Sequence, residues 1–184
     1  KNEQQKNASN QVQTARIMAN GDLLYHDGLY MSALQADGSY DFTENFTYVK
    51  PWLKQADLVL GDFEGTVNPD YPLSGYPLFN APQSVTAAIK DAGYDVMDLA
   101  HNHILDSGLE GAFTTADAFK KVGIDPVGVY EKPVRDKAPL LIKNVNGIKV
   151  AILSYAYGYN GLESNLTDKE VTDHLSNLDE KRMK

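Results

Sequence analysis

Short apolar runs that end in glycine and acidic residues are the feature that most limits the folds open to this chain. Three such runs precede clusters of polar residues: 15–19, 58–60 and 95–100. Runs of this length closed by Gly or Asp are typical of buried strands that lead into loops. We therefore predict three short strands in the first hundred residues, each with polar groups at its carboxyl end.

Segments with helical spacing separate and follow these runs. They cover residues 27–35, 45–56, 84–92 and 108–122. Pro51 lies inside the second segment, and because proline is tolerated only in the first turn of a helix, we expect that helix to begin near Tyr48–Pro51. Ser84 is the predicted N-cap of the third helix, and Gly93 is its predicted end.

The remaining elements complete an alternating α/β pattern. Residues 124–129 form a fourth predicted strand, and Asn146-Gly147 is a strong hairpin signal between residues 140–145 and 148–155. Four prolines make residues 67–82 an irregular excursion. The order β-α-α-β-α-β-α-β-β-β predicts an α/β fold, with a largely parallel sheet and a hairpin added at one side.

Composition limits the classes of protein and partner. With 184 residues the chain is long enough for one domain and marginal for two. A formal charge of −8 argues against nucleic acid and anionic lipid as partners. The chain has no cysteine, which excludes disulfides, thiolate zinc sites and cysteine nucleophiles.

The polar groups at the strand ends predict one shared site. Asp22 follows the first strand, and Asp62 and Glu64 follow the second. The third leads into His101-Asn102-His103, with Asp106 three residues further on. In parallel sheets, ligands bind outside the carboxyl ends of the strands, so we expect these side chains to meet there. Carboxylate, amide and imidazole groups together favour a divalent metal ion.

Each signal also has a structural interpretation. An Asp after Gly is most often a turn residue or a helix cap, so Asp22 alone is weak evidence. Asp62 and Glu64 alternate along the backbone, and we expect them to face opposite ways, with at most one of them a ligand. His101 and His103 are a stronger signal, since two of only four histidines fall within three residues.

Three motifs carry a resemblance to a known family. They are Asn20-Gly21-Asp22, Gly61-Asp62-Phe63-Glu64-Gly65-Thr66 and Leu99-Ala100-His101-Asn102-His103-Ile104-Leu105-Asp106-Ser107-Gly108. From about Arg16 to Tyr159 the sequence resembles the CapA-type proteins of bacterial capsule and poly-γ-glutamate synthesis. That family is similar in fold and motif layout to calcineurin-like metallophosphatases. The resemblance implies a layered α-β-β-α scaffold, of which this chain carries mainly the N-terminal sheet and its helices.

The resemblance also implies roles for four residues, and spacing suggests a role for a fifth. Asp22, Glu64 and Asn102 correspond to metal ligands. His103 corresponds to a proton donor or charge stabiliser beside the reacting phosphoryl or acyl group. Asp106 is close enough in sequence to orient that imidazole through a hydrogen bond.

Three further residues are expected at the rim of the site or as additional ligands: Asp62, His101 and His26. His101 stands where the family more often has a second asparagine. His26 follows Asp22 by four residues, whereas the metallophosphatase pattern places Asp and His two apart. A loop or helix-cap role is therefore favoured for His26.

The resemblance implies a divalent ion of the Mn, Fe, Zn or Mg class in the full-length protein. Only His174 remains where the family supplies further histidines, so we expect this chain to hold half of a site and to bind metal weakly or not at all. The implied partners are an anionic cell-surface polymer or a phosphate-containing substrate, together with other capsule-synthesis proteins.

Three segments are predicted along the chain. Residues 1–14 are polar and Gln/Asn-rich and predict a flexible leader, residues 15–160 the α/β domain, and residues 161–184 a polar, partly helical tail leading to a C-terminal part. Such a leader is typical of a link to an upstream membrane anchor, which would place the protein on the extracellular face of the bacterial membrane.

Two functions stay open from the sequence. The first is metal-dependent hydrolase or transferase chemistry on an anionic surface polymer. The second is a non-catalytic surface module that keeps the scaffold and binds polymer or partner proteins. A third interpretation, an intracellular phosphoesterase, is weakened by the Gln/Asn-rich leader. The tyrosines of residues 155–159 either line a binding surface or lie at the rim of the core.

Overall fold

A four-stranded parallel sheet organises the chain. The structure, a computed structural model, describes residues 12–134 and 139–178. The strands are Ile17–Asp22 (β1), Leu58–Asp62 (β2), Val96–Asp98 (β3) and Asp125–Val127 (β4). They pair in the order β1-β2-β3-β4, and every pairing is parallel. The predicted α/β fold is confirmed.

Five α-helices accompany the sheet in the described residues: Asp27–Ala33 (α1), Lys50–Leu53 (α2), Ser84–Ala92 (α3), Gly108–Lys121 (α4) and Asp168–His174 (α5). Pro51 lies in the first turn of α2, as predicted. That helix is a single turn, and a 3-10 helix, Thr43–Phe46, precedes it. A second 3-10 helix covers Leu162–Asn165.

The two ends of α3 differ in how well the sequence predicted them. The predicted N-cap at Ser84 is wrong, because the helix already begins at Ser84 and its N-cap is Gln83, which makes no side-chain capping bond. Gly93 ends the helix as predicted, with a left-handed φ of 117° that costs glycine little.

The sequential strand order explains how the two faces of the sheet are covered. Right-handed crossovers that all step in the same direction place their helices on one face. Val59 and Met97 accordingly point into a large core shared with the helices. Their neighbours Leu58 and Val96 point into a separate, smaller core on the other face, together with Val127.

A hairpin covers that second face. Its strands are Leu141–Val145 (β5) and Ile148–Ile152 (β6), joined by Asn146 and Gly147 with φ values of 52° and 85°. Two positive φ values are the signature of the predicted tight hairpin turn. The hairpin forms its own two-stranded sheet and packs Val145 against the face of the parallel sheet. The layers are therefore helices, parallel sheet and a second sheet.

The segment after residue 160 is partly buried. Helix α5 begins with a capping box between Thr167 and Glu170. Beyond the helix, Leu175 and Ser176 are fully buried, because this part of the chain pairs with Val129 and Ala156.

Residues 1–11 of the predicted leader and residues 179–184 of the predicted tail lie outside the described residues. In the described part of the chain, no helix is both long and apolar enough to cross a bilayer.

Candidate active site

The carboxyl ends of β1, β2 and β3 present a row of three aspartates. Asp22 is opposite Asp62 in the register of β1 and β2, and Asp62 is opposite Asp98 in the register of β2 and β3. Asp98 was missed by sequence reasoning because it lies inside a run that predicts a strand through residue 100. The strand ends at Asp98 itself, and that shorter length brings the residue to the edge.

His103 lies between two carboxylates above this edge. Its Nδ1 is 2.7 Å from Asp106 Oδ2, and its Nε2 is 3.8 Å from Glu64 Oε1. The Asp106 side chain is fully buried, and those of His103 and Glu64 are 12% and 15% exposed. Asp106 follows His103 by three residues in the turn after β3, so the two side chains lie on the same side of that turn.

Phe79 is a site residue that the sequence did not reveal. Its backbone N–H donates to Asp106 Oδ2 at 2.6 Å, and its ring meets the His103 ring edge-on with centroids 4.8 Å apart. Phe79 belongs to the excursion of residues 67–82, where no periodic pattern marks a buried position. It closes the side of His103 against solvent.

Asn80 fixes the excursion that carries Phe79. Its Oδ1 accepts from Asn68 N at 2.8 Å and from Thr66 Oγ1 at 3.0 Å. Its Nδ2 donates to the carbonyl oxygens of Asn68, Tyr71 and Pro72 at 3.0–3.1 Å. The side chain is 3% exposed, so these bonds are shielded from water.

Burial and like charges raise the pKa of two carboxyls in the cluster. Burial, followed by hydrogen bonding and repulsion from Asp22, raises the pKa of Glu64 to about 7. Burial, followed by repulsion from Asp98 and Asp22, raises the pKa of Asp62 to about 6. Asp62 and Glu64 were expected to face opposite ways, but both lie beside Asp22, because the alternation of β2 ends at Asp62.

Two other carboxyls are perturbed mainly by burial. Burial raises the pKa of Asp98, against the lowering effect of hydrogen bonds from Ser154 and from the Ala100 and Leu99 amides. Burial also raises the pKa of Asp106, against the hydrogen bonds from Phe79 and His103. In the described ranges, no lysine or arginine forms an ion pair with any carboxylate of the cluster. The site therefore favours a proton or a cation.

His101 is buried and stabilises the turn through a hydrogen bond to the His103 backbone. Its Nδ1 accepts the His103 backbone N–H at 3.1 Å, while Nε2 is buried and has no hydrogen-bond partner in the described chain. Burial lowers the pKa of His101 to about 3, so the ring is neutral.

Asn102 is turned toward another part of the chain. Its Nδ2 donates to Asn160 Oδ1 at 3.2 Å, and both residues line a groove beside the turn. The structure therefore brings Asp22, Glu64 and His103 together, whereas Asn102 has its partner outside that cluster.

His26 caps helix α1. Its Nδ1 accepts the Asp27 backbone N–H at 2.7 Å, and Nε2 lies 3.4 Å from the Tyr76 backbone nitrogen. Its ring is 5.8 Å from the ring of Phe79, centroid to centroid. This placement matches the helix-cap interpretation, and Phe79 contacts both the His26 and the His103 rings.

The donor types of the cluster suit a hard or borderline divalent ion. Asp62 Oδ1 is buried and has no hydrogen-bond partner in the described residues, which leaves an oxygen that a cation would satisfy. However, within residues 12–134 and 139–178, no three His, Asp or Glu side chains come together closely enough to hold a metal ion. Within the described residues, Asp22 and Glu64 are therefore neighbouring carboxyls that do not by themselves form a metal site.

The parallel sheet, its helices and the second sheet make this an α/β protein whose architecture is consistent with a metallophosphatase-like scaffold. A family model described as bacterial capsule synthesis protein PGA_cap matches residues 16–183. The chain belongs to this family.

Curated relatives carry related names. The chain is 36% identical over 136 residues to a capsule biosynthesis protein CapA of Bacillus anthracis, covering 71% of this chain and 32% of the relative. It is 28% identical over 113 residues to a PGA biosynthesis protein CapA of Bacillus subtilis, covering 60% and 30%. An uncharacterised protein of Sinorhizobium fredii is 28% identical over 162 residues, covering 83% and 32%. The chain thus spans about a third of the length of these relatives.

Proposed function

We propose that the protein is a cell-surface component of capsule or poly-γ-glutamate biosynthesis, with metal-dependent hydrolase or transferase chemistry on an anionic substrate. Family membership and the names of the Bacillus relatives support the biosynthetic role. The observation that carries the chemical part is the position of His103 between Asp106 and Glu64.

The contacts of His103 suit a proton-transfer role. When Asp106 Oδ2 accepts a hydrogen bond from Nδ1, that nitrogen keeps its proton and the ring orientation is fixed. Nε2 is then the atom that faces Glu64 and the strand ends. An imidazole oriented in this way acts as general acid or base toward a group bound at the carboxyl edge.

Glu64 is suited to exchange protons near neutral pH. Because burial and Asp22 raise its pKa to about 7, both protonation states of this carboxyl are populated under ordinary conditions. Its Oε1 faces His103 Nε2 at 3.8 Å, a gap that closes when either side chain moves by a fraction of an ångström. In the metal-free protein, Glu64 and His103 thus form a pair through which a proton can be held or passed.

A divalent ion of the Mn, Fe, Zn or Mg class would be held by Asp22 and Glu64, together with Asn102 and ligands from the rest of the protein. When bound, it would polarise a phosphoryl or acyl oxygen or activate water. It would also reverse the local negative charge, which is needed before an anionic polymer or a phosphate-containing substrate can approach a chain of charge −8.

The setting that we propose is the extracellular face of the bacterial membrane. An upstream anchor would hold the domain there beside the growing polymer and other capsule-synthesis proteins. The acidic balance of the chain agrees with a protein that has no nucleic-acid partner.

A non-catalytic binding or assembly module is the second candidate. Two observations favour it: Asn102 is bonded to Asn160 rather than to the cluster, and the described residues hold no closed set of three ligands. On this account the strand-end residues stabilise the turn, and the scaffold binds polymer or partner proteins.

The test is polymer output by cells that express the full-length protein carrying His103→Ala. Removing a general acid or a charge-stabilising group costs roughly 10²–10⁴-fold in rate, so output should collapse at unchanged protein level. Tyr48→Ala is the control, since Tyr48 is 89% exposed and far in sequence from the site. Unchanged output from His103→Ala would favour the binding module.

A further inference from the structure

A groove lies beside the turn that carries His103. It is formed by residues 100–102 on one wall and by the loop 155–160 on the other, with Glu163 also lining it. Its volume is about 580 Å³, within the range of small-molecule binding sites. Of the residues that line the groove, Asn102 also belongs to the proposed metal site, whereas the loop 155–160 and Glu163 have no part in the proposed chemistry.

The loop 155–160, which forms the second wall, is hydrogen-bonded to the segment that follows α5. Ala156 N donates to Ser176 O at 2.8 Å, and Leu178 N donates to Ala156 O at 2.7 Å. Tyr159 buries its ring almost completely, with 1% exposed. The wall is therefore anchored to the chain that follows α5, and the groove exists before any ligand enters it.

Two side-chain amides and one carboxylate give the groove its polar character. Asn102 and Asn160 form a hydrogen-bonded pair of amides across it. Glu163 has a buried Oε2 with no hydrogen-bond partner among the described residues. A buried acceptor without a donor is costly, and a ligand hydroxyl or N–H would satisfy it once the Glu163 side chain turns this oxygen toward the groove.

An exposed aromatic ring stands at the edge of the groove. Tyr157 is 94% exposed, although it lies between the anchored residues Ala156 and Tyr159. A tyrosine that is held by its backbone and left open to water offers an apolar face with a polar tip.

None of the residues that line the groove is a lysine or an arginine, and Glu163 adds a negative charge. An anionic ligand is therefore disfavoured here.

We propose that this groove binds a neutral, hydroxyl-rich sugar unit. The apolar face of a sugar ring packs on Tyr157, and its hydroxyls donate to the Glu163 carboxylate and exchange hydrogen bonds with the Asn102 and Asn160 amides. This goes beyond the proposed function, and it does not depend on any chemistry at His103. A sugar bound in this way would contact Asn102, which is adjacent to His103 in the chain.

The test is calorimetric titration of the intact protein with N,N′,N″-triacetylchitotriose and, separately, with a γ-glutamyl trimer. We expect the sugar to bind and the trimer neither to bind in the groove nor to compete with the sugar. Tyr157→Ala and Glu163→Gln should each weaken sugar binding about tenfold, the effect of losing one ring contact or one charged hydrogen bond.

Tyr48→Ala is the matched control, because it removes an equally exposed tyrosine outside the groove and should leave the affinity unchanged. His103→Ala should also leave it unchanged, which separates this proposal from failure of the proposed chemistry. No sugar binding by the wild-type protein, sugar binding unaffected by both groove variants, or displacement of the sugar by the γ-glutamyl trimer would each overturn the proposal.

Discussion

Asp106 Oδ2 accepts a hydrogen bond from His103 at 2.7 Å while the whole Asp106 side chain is buried. The same oxygen also accepts the backbone N–H of Phe79 at 2.6 Å. One carboxylate therefore orients the imidazole and fastens the irregular excursion of residues 67–82 beside it. The shape of the site and its chemistry depend on the same atom.

Asp106→Ala should lower the free energy of unfolding, because it leaves the buried Phe79 N–H without an acceptor. The expected cost is about 1–3 kcal/mol, measured by urea denaturation. Asp117→Ala is the matched control, since the Asp117 side chain on α4 is 46% exposed and pairs with Lys120. Equal stability of the two variants would show that Asp106 does not fasten the excursion.

Asn80→Ala should destabilise the protein more than a surface asparagine does. Five hydrogen-bond contacts end on this side chain, and removing it leaves the buried backbone N–H of Asn68 without its acceptor. We expect a loss of about 3 kcal/mol by urea denaturation. Asn165→Ala, at an exposed position, should stay close to the wild-type value. A wild-type midpoint for Asn80→Ala would contradict the network.

The carboxyl cluster should make stability fall as pH rises. The pKa of Glu64 is raised from 4.5 to about 7, so between those values the folded chain binds more protons than the unfolded chain. The free energy of unfolding of metal-free protein should therefore decline from about pH 5 to about pH 8.

Glu64→Gln should reduce that decline, because glutamine cannot titrate, and the variant should gain stability relative to wild type at the higher pH. The measurement is urea unfolding with a chelator present at both ends of the range. Glu44→Gln, at an exposed position, should keep the wild-type slope. An unchanged slope in Glu64→Gln would show that the cluster does not perturb this carboxyl.

Gly128→Ala and Gly161→Ala should differ sharply, although both glycines have positive φ, 98° and 82°. A Cβ at Gly128 would lie 2.6 Å from the Ala100 backbone nitrogen, whereas at Gly161 it would meet nothing within 4 Å. Gly161→Ala should cost only the left-handed strain, about 1–2 kcal/mol. Gly128→Ala should cost at least about 3 kcal/mol in urea unfolding. Equal losses would mean that the turn after β3 does not pack on Gly128.

Local sequence was sufficient to predict the scaffold. Buried apolar runs, the Asn146-Gly147 turn and the glycine that ends α3 each depend on neighbours within a few residues. The strand ends then followed from topology, since parallel strands share a carboxyl edge, and this brought Asp22, Glu64 and His103 together.

The rest of the site depends on contacts between distant segments. Phe79 is held beside His103 by the Asn80–Asn68 bond and by the bond from its own N–H to Asp106. No periodic pattern in residues 67–82 predicts these contacts. Asn102 turns toward Asn160, which lies 58 residues away in the chain. Asp98 became an edge residue because β3 is shorter than its apolar run. Side-chain partners of this kind are set by tertiary structure rather than by local pattern.

The most direct test of the proposed function is to measure metal content and activity together in the full-length protein carrying Asp22→Ala, His103→Ala or Asp106→Asn. Activity is polymer output or phosphoester cleavage, with folding checked by circular dichroism. Asp22→Ala should lose metal and activity together, because it removes a ligand. His103→Ala should keep its metal and lose roughly 10²–10⁴-fold in turnover. Asp106→Asn should fall between wild type and His103→Ala, since it only misorients the imidazole. Three folded variants with full activity would contradict the account.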